Sequence, residues 1–93
     1  MRIVFTRHAV QRMFERSITE TEIEWAIGNG DVIDEYPEDK PYPSRLSLSV
    51  KNKKPLHVVY SVDKENDCCI VITVYEPSSN EWNEDNRTRR NKV

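Results

Sequence analysis

Apolar positions along this chain change period between its first third and the remainder. Over residues 7–16 they recur at helical spacing, with Ala9, Val10, Met13 and Phe14 on one side, and Thr6 is placed to cap the segment. Thr19-Glu20-Thr21-Glu22 then reads as a capping box, with Ile18 before it able to staple onto Ile23. This second helix turns Ile23, Ala26 and Ile27 to the core and ends at Gly28-Asn29-Gly30, residues that tolerate left-handed backbone.

Beyond residue 30 the pattern predicts four strands, over about 31–37, 45–51, 55–62 and 68–76. The stretch Pro37–Pro43, with Pro41 between, has too few free amides for a central strand and reads as an edge loop. Lys51–Pro55 and Asp63–Asp67 read as turns, which makes the last three strands an antiparallel meander. Alternation assigns Leu46, Leu48, Val50, Leu56, Val58, Tyr60, Val62, Ile70, Ile72 and Val74 to one apolar face, against which the helices pack. The expected fold is therefore α+β, with two N-terminal helices on one face of a four-stranded, mainly antiparallel sheet.

The complementary face carries Arg45, Ser47, Ser49, His57, Val59, Ser61, Cys69, Val71, Thr73 and Tyr75. If it is open, Arg45, His57, Thr73 and Tyr75 stand together. Cleaving RNA without a metal requires a base for the 2′-hydroxyl, an acid for the leaving 5′-oxygen and charge stabilisation at phosphorus. His57 and Tyr75 suit the proton transfers, and Arg45 suits a bidentate phosphate contact. A second cluster lies on the first helix, where His8, Arg12 and Arg16 form one ridge in the first and later turns. Free amides in that first turn favour an anion beside His8. Helical phase turns His8 away from the core, and only Arg16 borders it, so the ridge joins the His57 face only if the helix sits at a sheet edge.

Charge adds a further constraint. The chain has 93 residues, enough for one domain, with 14 Lys and Arg against 16 Asp and Glu, a net charge of −2. That balance argues against a tight, non-specific nucleic-acid binder. It conceals segregation, however. Arg2, Arg7, Arg12 and Arg16 face only Glu15 in residues 1–16, residues 20–39 are acidic, and Lys51, Lys53 and Lys54 form a second basic cluster. Arg87, Arg89, Arg90 and Lys92 form a third, and the three basic patches are able to converge on one anionic ligand. Cys68 and Cys69 are adjacent in a strand, pointing to opposite faces, and read as small hydrophobes rather than a disulfide or metal pair. No metal or cofactor is expected. With no signal peptide and no membrane-length apolar run, a cytoplasmic location is expected. Residues 78–93 read as a partly ordered tail, docked by Trp82 and free to fray beyond it.

His8-Ala9-x-x-Arg12-Met13-x-x-Arg16-x-Ile18, Pro55-Leu56-His57-Val58-Val59, Ile72-Thr73-Val74-Tyr75-Glu76-Pro77 and Trp82 with its Arg-rich tail together resemble a bacterial family known only as domain of unknown function 4258. The resemblance covers nearly the whole chain. Ser17 departs from it, standing where related sequences often have Gly. That family in turn resembles the small ribonuclease toxins grouped with RelE, barnase and colicin nucleases. The resemblance implies an endoribonuclease toxin acting on RNA, free or on the ribosome, and held in check by an antitoxin protein. It implies His57 as the main acid or base, with Tyr75 and His8 assisting and Arg12 at phosphate. Arg16, Arg45 and Thr73 join the phosphate contacts from the face and ridge projections. Two other readings fit the same residues: a non-enzymatic protein-binding or regulatory module, and an RNA binder that does not cleave.

Overall fold

The computed structural model describes residues 1–90. Its elements run β1 (Arg2–Phe5), α1 (Arg7–Arg16), α2 (Glu20–Asn29), β2 (Asp31–Tyr36), β3 (Ser44–Lys51), β4 (Lys54–Asp63) and β5 (Cys68–Tyr75). The sheet has five strands rather than four, in the order β1-β5-β4-β3-β2. The additional strand is β1, whose four residues are too few to show a period. It pairs in parallel with β5, from Arg2 opposite Cys68 to Phe5 opposite Val71, so the sheet is mixed.

Both helices begin at the threonines the sequence marks. The Thr6 hydroxyl accepts from the Ala9 amide at 3.1 Å and donates to the Ile72 carbonyl at 2.9 Å, tying the start of α1 to β5. Thr19 accepts from the Glu22 amide at 3.1 Å. Between the helices, Ser17 adopts left-handed backbone (φ 55°, ψ 43°), while the Ile18 amide returns to the Met13 carbonyl at 2.9 Å. A residue with φ in that range is where glycine costs least.

Register sets the faces. Asn52 and Lys53, both at positive φ, form a two-residue turn that places Lys51 opposite Lys54, Ser49 opposite Leu56, Ser47 opposite Val58 and Leu48 opposite His57. Partners across a ladder share a face. The helix side of β3 therefore carries Arg45, Ser47 and Ser49, and Leu46 and Leu48 lie on the far side with His57, the reverse of the expected assignment. A bulge in the β4–β5 ladder, where the partners step from Val59–Thr73 to Tyr60–Val71, also shifts the alternation in β5. Val74, Val71 and Cys69 thus join Val58 and Tyr60 beneath the helices, with Ala9, Ile18, Ile23 and Ala26 above them. Thr73 and Tyr75 share the far face with His57.

The apolar face of α1 also differs from expectation. Ala9 is fully buried and Met13 half-buried, whereas Val10 and Phe14 are 52% and 88% exposed. The helix lies over β5 and β1, and α2 lies over β3 and β4. No helix among the described residues is long and apolar enough to cross a membrane.

Two substitutions test these local geometries. Gly30 follows α2 so closely that an added Cβ would stand 2.6 Å from the Ala26 carbonyl oxygen and 3.0 Å from that of Leu48. Gly30→Ala is expected to cost about 1–3 kcal/mol by overpacking, read as a lowered denaturant midpoint. Ser17→Gly relieves a left-handed residue and is expected to raise the melting temperature, by roughly 4 °C for a gain near 1 kcal/mol.

Candidate functional site

The expected polar face is not open. Residues 78–90 cross it as a small loop closed by the Trp82–Arg89 bridge, with the Arg90 amide donating to the Glu81 carbonyl at 2.8 Å. Trp82, only 2% exposed, sets its ring edge-on to His57 at 4.5 Å, and the Arg89 guanidinium covers the indole at 4.5 Å. Arg87 pairs with Asp31 at the start of β2, at 2.5 Å. The tail expected to fray is therefore docked through residue 90, and Lys92 lies outside the described residues.

Beneath this loop His57 has no exposed surface. Its Nε2 lies 2.7 Å from the Asn86 carbonyl oxygen, which can only accept, so Nε2 carries the proton and Nδ1 accepts from the Tyr75 hydroxyl at 3.3 Å. Burial lowers the His57 pKa, and the nearby Arg89 charge lowers it further against the opposing pull of the Asn86 carbonyl. Tyr75 is pushed up, chiefly by burial. A neutral histidine using both nitrogens inside the protein has none left for a 2′-hydroxyl. In this arrangement His57 holds the loop to the sheet with the half-buried Tyr75 bracing its ring, and the proton-transfer role expected of His57 has no access to substrate.

The other expected site residues disperse. Arg45 is on the helix side, its guanidinium 5.7 Å above the Tyr60 ring, and does not meet His57. Thr73 shares the His57 face, two residues from Tyr75, and is half-buried. His8 is exposed on α1, on the opposite side of the sheet, because that helix covers the face away from Trp82. Arg12 pairs with Glu15 at 3.7 Å. Arg16, about 12 Å along the helix axis from His8 at 1.5 Å per residue, belongs to a different feature altogether.

That feature is a cleft of about 510 Å³ at the end of the sheet where β3 turns into β4. Its volume is in the range of small-ligand sites. Arg16, Ser17 and Ile18 form one wall, Glu22 and Trp25 of α2 another, and Ser49, Lys51, Asn52, Lys54, Leu56 and Glu76 the floor and far side. Three cations and two carboxylates thus line one concavity, and among the described residues none of the five forms an ion pair. The Lys51 ammonium sits 5.1 Å over the half-buried Trp25 ring. Two of the three basic patches seen in the sequence, those of Arg16 and of Lys51 and Lys54, do meet here, while Arg89 and Arg87 of the third are engaged with Trp82 and Asp31. Trp25 stands in no motif, and the sequence marks Glu22 and Glu76 only as a capping-box position and a position in the family run, not as site residues. Their signal was the tight turn, which brings the ends of β3 and β4 beneath the start of α2.

Fold and cleft together define a small α+β protein, two helices on a mixed five-stranded sheet with a charged cleft at one end. The sequence profile of the family described as a domain of unknown function (DUF4258) matches residues 5–76, and the chain belongs to that family. The match ends where the loop that covers His57 begins. No curated protein and no solved structure matches the chain significantly.

The lowered His57 pKa gives a signed pH dependence. An unfolded-chain histidine takes up its proton near pH 6.5, and the folded chain resists doing so. As pH falls below about 6.5 the unfolded state binds a proton that the native state refuses, so stability drops by up to about 1.4 kcal/mol per pH unit until the lowered folded value is passed. Urea midpoints followed by tryptophan fluorescence between pH 7.5 and 5 should show this slope, and His57→Gln should lack its histidine component.

Proposed function

We propose that this protein acts on RNA as an endoribonuclease of toxin type, with the cleft between Arg16 and the β3–β4 turn as its substrate site. The observation that carries this reading is the gathering of Arg16, Lys51 and Lys54 with Glu22 and Glu76 around one cleft, free of ion pairs among the described residues. Cations from three elements, α1, β3 and β4, suit the phosphates of one strand and the charge that develops at phosphorus. A carboxylate beside them suits removal of the 2′-hydroxyl proton, and a cleft ammonium, Lys51 or Lys54, suits delivery of a proton to the leaving 5′-oxygen. The resemblance to small ribonuclease toxins motivates the toxin class, and the cleft, not the fold, carries the reading. The proton work assigned from sequence to His57 moves, in this reading, to the cleft.

A second reading is favoured by a separate observation. Val10 and Phe14 stand one turn apart on the outer surface of α1, beside the cations of the first helix. Such a surface suits a protein partner, an antitoxin in the first reading or the main ligand of a non-enzymatic module in the second.

Three measurements separate them. A labelled single-stranded RNA should bind with log affinity falling against log salt at a slope of roughly −2 for three phosphate contacts, and Arg16→Glu with Lys54→Glu should weaken it at least tenfold. Total RNA incubated with the protein should be cleaved, and Glu76→Gln or Glu22→Gln should abolish cleavage while leaving binding. Induction of the gene alone should arrest growth, with relief by a neighbouring gene. RNA left intact with growth unimpaired would favour the protein-binding module, and salt-dependent binding without cleavage the non-cleaving binder.

A further inference from the structure

Trp25 is the one large aromatic side chain in the cleft wall, and it is only half-buried, whereas Trp82 is enclosed. A flat ring beside unpaired cations is the combination by which proteins hold unpaired bases, since every base has a π-face and every nucleotide a phosphate. What lies over the indole is the Lys51 ammonium, at 5.1 Å. Lys51 is exposed, ends β3 on a flexible four-carbon stem, and has no ion pair among the described residues to hold it there.

We propose that Trp25 is a stacking platform for one unpaired RNA base, and that Lys51 keeps the place over the ring until the base arrives and then moves to the adjoining phosphate. This rests on RNA occupying the cleft, and it adds the form of the substrate: a single strand. Bases within a duplex have both faces covered by their neighbours and present only backbone and groove edges. The exchange leaves no charge stranded, because the ammonium passes from the ring quadrupole to a phosphate oxygen. A cationic ligand on the indole is disfavoured by Arg16 and Lys54 nearby, and a phosphate without a base leaves the ring unused.

The test uses hexaadenylate, a perfectly paired RNA hairpin and inorganic polyphosphate with the full chain. Hexaadenylate should quench tryptophan emission and shield it from acrylamide. Polyphosphate should bind with neither effect, and the hairpin should bind more weakly than hexaadenylate. Trp25→Leu should weaken hexaadenylate about tenfold, the order expected of one base–aromatic stack, and leave polyphosphate affinity within twofold. Trp25→Phe, which keeps a ring and guards against a folding defect, should recover most of the loss. Equal binding of hexaadenylate by wild type and Trp25→Leu, with Arg16→Glu plus Lys54→Glu still weakening it at least tenfold, overturns the platform and spares the RNA reading. Failure of wild type to bind either probe overturns both.

Discussion

The left-handed turn at Asn52 and Lys53 governs the rest of the molecule. Two residues at positive φ leave one way to pair β3 with β4, and that pairing decides which side of the sheet every residue of the hairpin meets. It puts three small or polar residues, Arg45, Ser47 and Ser49, on the helix side of β3, where α2 lies close. It puts Leu46 and Leu48 on the opposite side, where an apolar surface flanking His57 needs a cover. The loop from 78 to 90 supplies that cover through Trp82. The same turn sets Lys51 directly across from Lys54 and so builds the floor of the cleft.

The buried histidine follows from this arrangement. Once Leu46, Leu48 and Trp82 exclude water, His57 must satisfy both ring nitrogens from within, and the Tyr75 hydroxyl and Asn86 carbonyl do so. No buried side-chain nitrogen or oxygen among the described residues lacks a partner. A polar group in a sheet is thus turned into a fastening between the family domain and the segment beyond its matched residues. Cys69, pushed up to about 11 by burial and by its neighbour Cys68, is likewise an enclosed thiol rather than a reactive one.

Local signals in the sequence were informative where the physics is local. Thr6, Thr19, the Gly28-Asn29-Gly30 stop and the last two strands follow from caps, turns and alternation, and each stands within a residue or two of its expected place. Faces were harder, because they depend on register, and a one-residue slip inverts a strand. In the sequence the turn reads as the five residues Lys51–Pro55, which leaves the pairing of Leu48 with His57 unfixed, and the bulge at Thr73–Val71 has no marker in composition. On α1, Val10 and Phe14 fit an amphipathic pattern but face outward, since the helix turns Ala9 and Met13 to the sheet. The cleft was visible only as two basic clusters, and its aromatic and acidic members come from elements whose meeting is a tertiary fact.

The parallel pairing of β1 with β5 has a consequence for how the chain is made. Arg2 and Phe5 find their partners at Cys68 and Val71, and the Thr6 hydroxyl finds the Ile72 carbonyl 66 residues later. β1 leaves the ribosome well before β5, the last strand of the sheet, and has no partner until it follows. Helices α1 and α2 can flicker into shape meanwhile, but the layer they cover closes only when both ends are present. Loop-closure entropy of that kind slows folding. Native structure, and with it the α1 wall of the cleft, therefore depends on β5 being in place.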